Sequence, residues 1–167
     1  MEDDNSPGKS AQIVRMGVIE INLSPDAFHI YAGHYYKCKQ DFKPPDDYVS
    51  PVPYFLLCRA IELEIKARHL KHRKQTEVRK DFGHHLLAAY RALDAQEQIL
   101  SQSEEAVLTA ADNIYATKGF EYFDPYDAAT AFSRFPDLET LDTIAKKLLD
   151  LGSTMWDRPP VSSGTRD

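Results

Sequence analysis

From Pro53 to His72, PYFLLCRAIELEIKARHLKH, apolar and polar positions alternate with a helical period but divide the helix in an uncommon way. At about 3.6 residues per turn, Leu56, Ala60, Leu63, Ala67 and Leu70 share one apolar strip, and Cys58, Ile61 and Ile65 share a second. Two polar seams separate the strips. Glu64, Arg68 and Lys71 form one; Arg59, Glu62, Lys66, His69 and Arg73 form the other. An ordinary surface helix has a single apolar face. This pattern predicts a central helix with neighbours on two sides and charged residues caught between them.

The rest of the chain reads as helix too. Ser24-Pro25-Asp26 offers an N-cap serine and a proline at the first helical position, predicting a helix over 26–40 with Phe28, Ile30, Tyr31, Tyr35 and Tyr36. PPDDYVSPVP then separates it from the central helix. Beyond that helix, residues 73–82 have few apolar anchors and read as an exposed connection with at most part of a helical turn, closed by Gly83. HHLLAAYRALDAQEQI predicts a helix over 84–99. Ser101 or Ser103, followed by Glu104 and Glu105, opens another through Val107, Leu108, Ala111, Ile114 and Tyr115, with Gly119 as its stop.

Residues 119–136 are aromatic, acidic and broken by Pro125 and Pro136, predicting a long ordered loop with at most one short helical turn. Its Phe120, Tyr122, Phe123, Tyr126, Phe132 and Phe135 are expected to pack over the bundle. Pro136-Asp137 opens a last helix with Leu138, Leu141, Ile144, Leu148 and Leu149 inward and Gly152 as its end. The expected fold is all-α, an antiparallel bundle of about five helices with an aromatic-rich loop before the last. A single domain is expected over 11–152, between a disordered tail at 1–10 and a second tail at 153–167. Val14, Met16 and Val18 alternate as a strand would, but 11–23 fits an arm packed on helices equally well.

Charge changes this picture locally. The chain has a net charge of −6, which argues against a molecule that binds polyanions over its whole surface. Yet Arg59, Lys66, Arg68, Lys71, Arg73, Lys74, Arg79 and Lys80 crowd into one stretch with only Glu62, Glu64 and Glu77 against them. A phosphate could be held there. Cys38 and Cys58 lie far apart in no metal-binding spacing and are expected to be free, packed thiols in a reducing compartment. No stretch approaches the roughly 20 apolar residues of a membrane span. MEDDNSPGKS lacks the apolar core of a signal peptide, so a cytoplasmic location is expected. His69, His72, His84 and His85 come without a cysteine cluster or a His-Glu-x-x-His motif, so neither metal nor cofactor is expected. Glu62 and Lys66, at i and i+4, are expected to pair. His84, just after Gly83, is placed to fold back onto their seam.

FLLCRAIELEIKA, a basic connection, and FGHHLLAAYRAL together resemble the HEPN superfamily of small helical bundles. The resemblance rests on Glu62 with Lys66-Ala67 four residues on, and on Gly83-His84-x-Leu86 opening the next helix. RFPDLETLDTIAKKLL is similar to the C-terminal part of one prokaryotic branch. The likeness spans roughly residues 24–151. It implies a module that binds RNA or a nucleotide, in a stress or defence system of the toxin–antitoxin kind. Glu62, Lys66 and His84 would form the core of its groove, and Arg59, His69, Arg73 and Arg79 would contact phosphate. It also implies a homodimer, or a protein partner encoded nearby. Nuclease members carry an arginine followed four to six residues on by a histidine, a spacing that Arg79 shares with both His84 and His85. Three readings therefore stay open: a binding module, a metal-independent endoribonuclease using Arg79 and His84, and a non-catalytic interaction bundle.

Overall fold

A computed structural model describes residues 24–156, all of whose regular structure is helical. The helices are α1 (Pro25–Asp41), α2 (Val52–His69), α3 (Gln75–Phe82), α4 (Leu86–Arg91), α5 (Gln102–Tyr115), α6 (Pro125–Ala129) and α7 (Leu138–Trp156), with a 3₁₀ turn at Ala95–Glu97. The expectations for 1–10 and 11–23 lie outside the described residues. No described helix is long and apolar enough to cross a membrane.

α2 is the axis of the bundle, flanked by α1, α4, α5 and α7. Both apolar strips are covered. Leu57, Cys58, Ile61 and Ile65 enter the main core with Tyr90, Leu108, Leu141, Ile144 and Leu148, while Leu63 packs with Ala32 and Leu149 beneath Phe28, Tyr35 and Tyr36. Cys58 is a buried thiol as expected; Cys38 is exposed instead.

Four boundaries differ from the sequence expectation. Residues 75–82 form a true helix rather than a loop. Two anchors suffice: Val78 is buried and Phe82, four residues on, stacks on His69 at 4.7 Å. The Glu77 carboxylate accepts from the Lys74 amide, closing the N-terminus. The helix expected over 84–99 runs only from Leu86 to Arg91. Side chains take over its terminal hydrogen bonds, since Gln98 donates to the Arg91 and Leu93 carbonyls and the Leu100 amide donates to the Tyr90 hydroxyl. α7 continues past Gly152 to Trp156. Gly152 is a point of close approach, because a Cβ there would run into the Glu64 carboxylate and would lie 2.9 Å from His29 Cε1.

The aromatic segment is the fourth. Its ends pack as expected, with Phe120 stacked on Tyr54 at 5.5 Å and Phe135 edge-on to both. Its middle does not. Tyr122, Phe123 and Tyr126 face solvent.

Candidate functional site

The Arg59–Arg73 seam meets the end of α3. Gly83, at φ +53°, ends α3 in a backbone conformation that few side chains tolerate and turns the chain back toward α2. Two results follow. The Gly83 carbonyl accepts from Lys66 Nζ at 2.6 Å, and His84 swings over the seam so that its Nδ1 lies 3.0 Å from Glu62 Oε1. The Leu86 amide, two residues after His84, donates to Asp112 of α5 at 2.6 Å and so fixes the start of α4.

Glu62 is the centre of this arrangement. It is 3% exposed yet meets four partners. Oε1 accepts from Lys66 at 2.5 Å and faces His84; Oε2 accepts from Arg59 at 2.7 Å and from the Tyr115 hydroxyl at 2.5 Å. Burial pushes the Glu62 carboxyl up, but Lys66, Tyr115 and Arg59 together outweigh it and hold the group below the usual carboxylate range. Burial and the Glu62 charge push the Tyr115 phenol upward, keeping it a neutral donor. The His84 ring meets Tyr115 edge-on at 6.1 Å.

Above Glu62 opens a pocket of about 590 Å³ between α1, α2 and α3. Its walls are Phe28, Tyr31 and Tyr35 from α1, Leu63 from α2, Leu70 just past the end of α2, and Val78 from α3. Arg59, Lys66, Arg79 and His84 line it as well, and among the described residues no carboxylate does. Arg59 also lies over the Tyr35 ring, 5.8 Å from its centroid. Arg79 sits in the last turn of α3, where it has no ion-pair partner among the described residues. One buried carboxylate therefore faces Arg59 and Lys66, and Arg79 adds further positive charge at the rim.

The other two binding candidates lie elsewhere. His69 is buried, its ring nitrogen 2.9 Å from the Ala89 carbonyl, and burial pushes its pKa down. Arg73 pairs with Asp81 and covers the Phe82 ring. Both line a smaller cleft of about 220 Å³ with Asp94 and Glu97. Among the described residues no group of His, Cys, Asp and Glu has the geometry to hold a metal.

No family model, curated protein or solved structure matches this chain. Its chemistry is therefore read from the pocket itself. Two contributions to it escaped the sequence reading. Tyr115 looked like one more apolar position of α5, because its spacing is that of a core residue. The sequence puts Phe28, Tyr31 and Tyr35 on the first helix without assigning them a face, and nothing in their spacing marks a pocket wall, although Tyr31 is 57% exposed. The second polar seam is a separate buried cluster. Glu64 is paired there with His29 at 2.6 Å and with Arg68 at 3.3 Å, and Arg68 donates to the Leu148 carbonyl at 2.7 Å. Burial outweighs these partners and raises the Glu64 carboxyl.

Proposed function

We propose that the chain is a HEPN-like helical module that binds RNA or a nucleotide in the α1–α2–α3 pocket. The observation that carries this reading is the composition of the lining. A protein with six excess negative charges places Arg59, Lys66 and Arg79 around one concavity, gives it three aromatic rings, and has no carboxylate among the described residues that line it. Cations suit phosphate, and rings on a pocket wall suit a base, whose stacking is worth about 1–3 kcal/mol. Glu62 holds Lys66 and Arg59 in place without joining the surface, so phosphate meets positive charge that is already oriented. In a fluorescence titration at low salt, wild type binds labelled single-stranded RNA or a nucleoside triphosphate, and Arg79→Ala weakens that binding. Wild type that binds neither at low salt contradicts the proposal.

One observation favours a second reading, a metal-independent endoribonuclease. Arg79 and His84 line the same pocket. The Glu62 carboxylate holds His84 by Nδ1, which leaves Nε2 as the proton-transfer atom. Arg79 would then stabilise charge on the phosphorus centre. Such cleavage persists in EDTA and disappears in His84→Ala; activity that EDTA abolishes, or that His84→Ala retains, rules it out.

A further inference from the structure

The loop between α5 and α7 leaves its three middle aromatics in water, with Tyr122 67%, Phe123 78% and Tyr126 66% exposed. A lid that completes a core would bury them. The segment is nevertheless firmly built. Arg134 forms a two-toothed pair with the buried Asp127 carboxylate and reaches Asp124 at 3.3 Å. Asp124 accepts from the Tyr126 amide at 2.9 Å. Beneath lie Phe120 stacked on Tyr54 and Phe135 edge-on to both. Lys118, Ala131 and Phe132 all adopt positive φ, at 62°, 51° and 57°, without being glycine. Such conformations persist only where the surroundings enforce them, and they cluster at functional segments.

We infer that residues 120–127 form a pre-shaped docking knob for a cationic protein, one with an apolar groove edged by lysine or arginine. Rigid aromatics presented in this way act as interface anchors, because little side-chain freedom is lost when they are covered. Charge argues against a second copy of the chain, since a twofold contact would set this acidic patch against itself. Three such rings, at the exposures given above, present roughly 300–500 Å², less than the ~800 Å² that each side of a stable interface takes, so the contact is a small, reversible one. Charge selects the partner's sign. From Lys118 to Glu139 there are five carboxylates, one lysine and one arginine; the arginine pairs with Asp127 and Asp124, and Glu121, Asp137 and Glu139 remain outside any ion pair among the described residues. The same charge repels nucleic acid. The knob stands beside Tyr54 at the start of α2, about 8 Å along the helix axis from Arg59, and none of residues 120–127 lines the pocket, so the inference does not rest on what the pocket binds.

The test is an amide-resolved NMR titration of the full chain with two synthetic amphipathic helices of identical apolar pattern, one Leu/Lys and one Leu/Glu. The Leu/Lys peptide is expected to shift amides of 120–127. Its binding falls at least tenfold in the triple variant Tyr122→Ser, Phe123→Ser, Tyr126→Ser, and the Leu/Glu peptide binds at least tenfold more weakly to wild type. Melting confirms that the variant is folded; if it is not, Phe123→Ser alone serves the same comparison. Shifts confined to other residues, equal binding by the variant, or no binding at millimolar peptide overturn the inference. So does sedimentation showing a dimer that Phe123→Ser dissociates, which assigns the patch to a second copy. Pelleting with neutral phosphatidylcholine vesicles that the variant loses assigns it to lipid, and overturns the inference equally.

Discussion

Glu62 and Glu64 stand two residues apart on α2, both buried, and their surroundings push them in opposite directions. Two cations and a phenol surround Glu62 and hold its carboxyl low, whereas burial outweighs His29 and Arg68 at Glu64 and raises it. The consequences for stability have opposite signs. The favourable contribution of Glu62 is complete above its ordinary value of 4.5 and is lost as pH falls through its depressed native value. Glu64 binds a proton more readily in the native state than in the unfolded one, so its ionisation costs stability at neutral pH and acid relieves that cost. Glu62→Gln leaves Arg59 and Lys66 without their carboxylate. The expected loss is about 2–3 kcal/mol, less than the ~3–5 kcal/mol of a fully buried pair because both cations reach water. Urea unfolding between pH 3 and pH 7 checks both points, with the variant less stable at neutral pH and its acid limb flatter below ~4.5. An unchanged midpoint at neutral pH would show that the cluster contributes nothing to the fold.

At the scale of elements, periodicity revealed α1, α2, α5 and α7, because each buries a regular apolar face. It missed α3, which is held by two anchors and a cap, and it overran α4, whose end is set by Gln98 from outside the helix and by the Tyr90 hydroxyl holding the returning chain at Leu100. Such side-chain terminations leave no period to read. Gly152 shows the same limit. In sequence it resembles a helix stop, while in the fold it lets α7 lie against the Glu64–His29 pair. Alanine is the better helix former by about 1 kcal/mol, yet here its Cβ would enter the space of a carboxylate pinned by Arg68. Gly152→Ala is therefore expected to destabilise by about 1–2 kcal/mol, the overpacking cost exceeding the propensity gain. Thermal melting decides the sign, and a rise in melting temperature would show that α7 can move away from α2 at little cost.

Across the whole molecule, the all-helical class and the meeting of Glu62, Lys66 and His84 were legible in the sequence. The helical period put the first two on one seam, and Gly83 marked the turn that returns the third. The pocket wall contributed by α1 was not legible, since nothing in a helix's own pattern tells which of its aromatics will face a void. His69 and Arg73 share the seam by spacing, yet they lie beyond the turn where α3 crosses it and serve packing against Phe82. The central claim is that Arg79, Lys66 and Arg59 form a phosphate-binding surface within an acidic protein. The most direct measurement is the salt dependence of single-stranded RNA binding by wild type and by Arg79→Ala, a substitution that breaks no ion pair among the described residues. Each lost phosphate contact should weaken binding and reduce the slope of log affinity against log salt by about 0.7. A variant with unchanged affinity and slope, or a wild type whose binding ignores salt, would contradict the account.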